Sequence, residues 1–132
     1  MKKLMVLAVA ALLGTVMNAQ STGHVYELRT YTCNEGKLPD LLKRFREHTM
    51  EIFERHHMHN VGYWIPADEP LHSNTLIYII SHESREAATA NWKAFRDDPE
   101  WQKVSKASEE KGKIVNHVDS KFMSPTDFSG LK

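Results

Sequence analysis

The chain has 132 residues, 17 basic against 17 acidic side chains, eight histidines and one cysteine. That length suits one domain, and the balanced charge offers no concentrated basic face for a nucleic acid. A lone Cys33 excludes an internal disulfide and reads as a small buried hydrophobe, so stability must come from a packed core.

The N-terminus is unlike the rest. Lys2 and Lys3 precede an almost wholly apolar run from Leu4 to Val16, and Ala19 supplies a small residue where a signal peptidase could cut. A basic start, a short apolar stretch and a small-residue exit predict a secretory signal peptide over residues 1–19, with a mature end near Gln20. The run is shorter than the ~20 residues of a membrane span, so no transmembrane segment is expected after cleavage. Export to the periplasm or the extracellular space follows. Loss of Lys2 and Lys3 leaves 15 basic and 17 acidic residues, a net charge of −2.

From His24 to Thr32, β-branched and aromatic residues alternate with polar ones, which predicts a strand. Asn34, Glu35 and Gly36 signal a turn. A helix is predicted from Pro39 to about Met58, with Leu38, Leu41, Leu42, Phe45, Thr49, Ile52, Phe53 and His56 on one buried stripe. Lys43, Arg44, Glu47, Glu51, Glu54 and Arg55 fall on the other side, where Lys43 with Glu47 and Glu51 with Arg55 have ion-pair spacing.

Val61 to Ile65 predicts a second strand ended by Pro66, and residues 67–74 a loop. Thr75 to Ile80 predicts a third strand. Its apolar residues are successive, which implies that both sheet faces are covered. Ser84 is placed to cap a helix carrying Ala88, Trp92 and Phe95. Asp98 and Pro99 break that helix and start another, as cap and first residue, and Gly112 ends it. Lys113 to Met123 predicts a fourth strand, and residues 124–132 a tail.

The order is β-α-β-β-α-β. It predicts an α+β, ferredoxin-like four-stranded antiparallel sheet with both helices on one face. The other face would be bare in a monomer, so a homodimer is expected.

Particular stretches carry a resemblance: Tyr26-Glu27-Leu28-Arg29-Thr30-Tyr31, Gly36-Lys37-Leu38, Val61-Gly62-Tyr63-Trp64 and Asp97-Asp98-Pro99-Glu100-Trp101. Together and in this order the chain resembles the NIPSNAP family, a branch of the dimeric α+β barrels, over residues 23–123. The resemblance implies the ferredoxin-like fold and a homodimer. It implies no reaction, since related barrels include haem-degrading and cofactor-free monooxygenases, isomerases and haem peroxidases. Animal members are associated with mitochondria and vesicle traffic. The export signal of this chain departs from them, and those roles are not transferred.

Six residues are candidates for a ligand site. Glu27, Arg29 and Tyr31 share one face of the first strand, which is expected at the sheet's centre. They read either as a structural ion pair with a phenol at a dimer interface, or as a site where Arg29 and Tyr31 bind a carboxylate, carbonyl or enolate oxygen. His56 sits mid-stripe, as a core histidine with a partner, or as a base or axial haem ligand facing a pocket under the helix. Trp64 and Tyr78 read as core aromatics or as walls of an apolar cavity. Helical spacing keeps His48 and His56 from sharing an ion, so no metal site is expected. No cofactor is expected either, with haem the minor alternative. No serine-nucleophile, nucleotide-loop or dithiol motif occurs. Two functions remain open: a small-molecule pocket, as in a cofactor-free oxygenase or isomerase acting on an apolar carbonyl compound, or a non-catalytic binding or interaction protein of the cell envelope.

Overall fold

A computed structural model describes residues 24–132. The expected signal peptide lies outside the described residues. In chain order the elements are β1 (Val25–Cys33), α1 (Leu38–Arg44), a π-helical turn (Phe45–Thr49), α2 (Met50–Arg55), β2 (His59–Trp64), β3 (Thr75–His82), α3 (Arg85–Asp97), α4 (Pro99–Ser108) and β4 (Val115–Met123). The strands form one antiparallel sheet in the order β2-β3-β1-β4. This is the ferredoxin-like arrangement that the β-α-β-β-α-β order predicts.

The helices cover one sheet face. Leu41, Phe45, Ile52 and Phe53 are buried on the α1–α2 stripe, against Leu76, Tyr78 and Ile80 of β3. Phe45 and Phe53 lie 5.2 Å and 6.1 Å from the Tyr78 ring, and Phe53 also meets Trp92 and Phe95 of α3. This aromatic packing fills the space where the alternative reading of His56 would put a pocket under the helix. On the opposite face Leu28, Ile77 and Ile79 are only half-buried, and Trp64 is 52% exposed. At the end of that face the Tyr26 hydroxyl donates to the Lys132 carbonyl at 3.0 Å, so the C-terminal tail reaches β1.

The helix ends follow their sequences. Ser84 Oγ accepts from the Ala87 amide, and Asp98 Oδ1 from the amides of Glu100 and Trp101. α2 closes with the Met58 amide on the Phe53 carbonyl and the His57 amide on Glu54. That Schellman pattern puts His57 in the left-handed region at φ 58°, where glycine is the usual choice. The helix after Gly36 is not one α-helix, because a π turn interrupts it at Phe45. α4 ends at Ser108, before Gly112.

Two expectations fail on the outer side of this helix. Arg44 is only 6% exposed, because Trp101, Ser108 and Glu109 close over its flank. Arg55 pairs with Asp98 and Glu100 rather than with Glu51, while Lys43 and Glu47 do pair, at 3.9 Å. Cys33 is buried, and burial pushes its thiol pKa up against the opposing charge of Arg44.

Candidate functional site

Alternation along β1 sends Glu27, Arg29 and Tyr31 to the helix-covered face. The register sets Ile80, Tyr78 and Leu76 of β3 opposite them on one side, and Phe122, Ser120 and Val118 of β4 on the other. Tyr31 packs edge-on against Tyr78 and Phe45, at 5.2 Å and 6.1 Å. Its phenol therefore belongs to the layer between sheet and helices.

Glu27 is 1% exposed and accepts four hydrogen bonds. Arg29 Nη1 (2.5 Å) and Ser120 Oγ (2.7 Å) donate to Oε1. Trp92 Nε1 (2.7 Å) and His82 Nε2 (3.0 Å) donate to Oε2. The neighbours fix the His82 tautomer. Asn91 Nδ2 has two hydrogens, one on the His57 carbonyl at 3.0 Å and one facing His82 Nδ1 at 3.3 Å. Nδ1 is then the acceptor, and Nε2 carries the proton given to Glu27.

Burial alone would raise the Glu27 carboxyl. The bonds from His82, Trp92 and Ser120 and the charge of Arg29 outweigh it and hold the pKa at about 2, below the ordinary 4.5. A carboxylate offers about four lone-pair positions, and all are taken here. Glu27 is therefore an anchor rather than a proton acceptor.

What the anchor holds is Arg29. Its guanidinium lies 4.2 Å from the Trp92 ring centre and 5.4 Å from that of Tyr31. Among the described residues it makes one hydrogen bond, to Glu27, and its Nε is buried without a partner. The side chain is 15% exposed. Over β4 the same face opens to solvent, with Val118 40% exposed and Ser120 exposed. The result is a cationic, aromatic-walled ledge whose central donor is fixed from behind.

Tyr78 is fully buried between Tyr31, Phe45, Phe53 and Tyr63, and among the described residues its hydroxyl has no hydrogen-bond partner. Burial pushes that phenol well above its ordinary range. It backs the ledge from within the core and does not wall an open cavity.

The other two candidates do not join this cluster. His56 caps α2, and its Nε2 meets Asp98 Oδ2 at 2.6 Å in a polar knot with Arg55 and Glu100. It is a histidine satisfied by a partner. Trp64 lies on the opposite sheet face, folded over Gly62, where an added Cβ would fall 2.5 Å from its ring. A side chain at Gly62 would have to push that half-exposed indole aside.

Sequence reasoning missed His82 and Ser120, and read the Trp92 ring as core or as the wall of an apolar cavity, not as a hydrogen-bond donor to Glu27. The available signal was periodic. Tyr78, Ile80 and His82 alternate on one face of β3, as do Val118, Ser120 and Phe122 on β4, but only the register says which face. Among the described residues no group of His, Cys, Asp and Glu side chains is arranged to hold a metal ion, and no helix is long and apolar enough to cross a membrane.

A NIPSNAP family model matches residues 26–130. A NIPSNAP family protein of unknown function from Agrobacterium tumefaciens superposes with a TM-score of 0.72 at 25% identity, over 85% of this chain and 96% of that one. An uncharacterized NIPSNAP-like domain protein from Burkholderia xenovorans gives 0.71 at 19% identity, over 84% and 93%. A monooxygenase from Streptomyces coelicolor in complex with nanaomycin D shares the fold at a TM-score of 0.56 and 18% identity, over 84% and 94%. No curated protein matches the sequence. The family match runs from β1 into the C-terminal tail, over the same strands and helices that build the ledge, and the chain belongs to the NIPSNAP family.

Proposed function

We propose that this chain is exported, forms a homodimer through its bare sheet face, and binds a small apolar molecule bearing a carbonyl or carboxylate on the Arg29 ledge. The observation that carries the binding reading is the guanidinium itself. It is pinned by a saturated carboxylate, laid on Trp92, and left with unused N–H groups beside an open strand. A planar fork held this way suits a carboxylate or a polarised carbonyl oxygen, and the aromatic walls suit an apolar body. The dimer reading rests on Leu28, Ile77, Ile79 and Trp64, which leave an apolar strip on the face without helices.

Cofactor-free oxygenation or isomerisation is the reaction class we favour, since a monooxygenase shares this fold. The second reading, a binding protein of the cell envelope without turnover, is favoured by one observation: Glu27, the carboxylate that holds Arg29, has all its lone pairs engaged. Native mass spectrometry of the purified full chain, followed by titration with nanaomycin D and menadione, tests binding. Arg29→Lys keeps the charge and loses the fork, so it should weaken affinity at least tenfold in protein that thermal melts show to be folded. Unchanged affinity removes Arg29 from the site. Oxygen uptake with bound ligand separates the oxygenase from the binding protein.

A further inference from the structure

A second concave surface lies away from the ledge, between α1 with its π turn and α4. It is a groove of about 590 Å³ whose lining includes Arg44, Lys103, Val104, Ala107 and Lys111. Arg44 at its base is the unusual member. The residue is 6% exposed, yet among the described residues no carboxylate forms a hydrogen bond with it. Nη1 donates to the neutral Ser108 Oγ at 3.1 Å, and the nearest acid, Glu109, stays at 3.6 Å while also accepting from the Ile114 amide. Among the described residues its Nε is buried with no partner. A buried cation with an unpaired donor is costly unless something else completes it.

The charges around it are unequal once pairing is counted. Asp40 is paired with Lys37, Glu47 with Lys43, Glu100 with Arg55, and Arg44 itself with Glu109 at 3.6 Å. Among the described residues Lys103 and Lys111 have no acidic partner within 4.0 Å, and of the lining acids only Glu110 is likewise unpaired. The backbone is also irregular at this point. Arg44 is the last residue before the π turn, and its carbonyl accepts from Thr49 Oγ1 at 3.2 Å. π turns inside α-helices occur frequently at functional sites.

We propose that this groove binds a small organic carboxylate, its carboxyl seated on Arg44 between Lys103 and Lys111 and its carbon body against Val104 and Ala107. The guanidinium offers a planar fork, and the two lysines raise the local potential without fixing geometry. The ledge at Arg29 is built from other residues, so this site stands apart from that reading.

Succinate is the probe, titrated into the full chain by calorimetry and by amide NMR, with sodium chloride of matched ionic strength as control. Saturable binding is expected, with the largest shifts at Lys103, Val104 and Ala107. Arg44→Lys should weaken it at least tenfold, and Lys103→Gln with Lys111→Gln at least threefold. Arg29→Lys should leave it unchanged, which separates failure here from failure of the ledge. Should Arg44→Lys not fold, the exposed lysine pair still decides, because full affinity in that variant overturns the assignment. A response no larger than that to chloride, an equal response to inorganic phosphate, or shifts centred on β1 and β4 would also overturn it.

Discussion

Replacing Glu27 by glutamine is the sharpest test of the anchor. The side chain keeps its shape, but one of its two acceptor oxygens becomes an amide donor. Whichever position the amide takes, it meets a group that can only donate, Arg29 on one side or Trp92 on the other. Arg29 also loses its counter-charge. A carboxyl held at about 2 against an ordinary 4.5 represents about 3 kcal/mol of stability at neutral pH. Breaking a buried charged pair by removing one partner costs roughly 3–5 kcal/mol. Glu27→Gln should therefore lose about 3–5 kcal/mol in urea unfolding at pH 7. The pH dependence has a fixed sign. The folded pKa is depressed, so the contribution is complete above the ordinary value and is lost as pH falls toward the folded one. The gap between native protein and variant should shrink by about 2 kcal/mol from pH 5 to pH 3. A loss under ~1 kcal/mol at pH 7, or a gap that stays flat down to pH 3, would refute the account of Glu27 as a saturated carboxylate.

Other expectations are simpler. Tyr78→Phe removes a buried hydroxyl that has no partner among the described residues, so unfolding should show a change near zero or a small gain. A loss above ~1.5 kcal/mol would mean that the hydroxyl is hydrogen-bonded after all. Asp98→Ala removes the cap of α4 and the partner of Arg55 and His56, and should cost about 1–2 kcal/mol by denaturant titration. His57→Gly relieves a left-handed backbone at φ 58° and should raise stability by up to ~1 kcal/mol. A loss there would show that the imidazole makes a contact worth more than the strain.

The strands and caps were legible because their signals are local. Ser84, Asp98 and Pro99 sit where their own chemistry puts them, and the apolar stripe from Leu38 to Phe53 reads correctly from spacing alone. Half of the site was legible for the same reason: strand alternation put Glu27, Arg29 and Tyr31 on one face. Which face that was depended on the pairing with β3 and β4, and no local signal carries it. Arg44 was misplaced because its burial comes from α4, some 60 residues further along the chain. His56 looked central on the stripe, but α2 ends at Arg55, and the side chain turns to Asp98 instead. Trp64 sits on the same strand as Tyr63, and one step of the pleat sends it to the other side of the sheet.

The anchored carboxylate also constrains the route by which the chain reaches its native state. Its donors His82, Trp92 and Ser120 stand 55, 65 and 93 residues away in sequence. None of them can reach Glu27 until large loops have closed, and Ser120 arrives only with the last strand. Until then a buried Glu27 would lack donors, so the core beneath Trp92 gains little from closing early. The cluster thus favours a late, concerted locking of β4 onto β1 over stepwise growth from the N-terminal hairpin of elements. Substitutions such as Ser120→Ala should then speed unfolding while leaving the folding rate nearly untouched, with φ-values near zero.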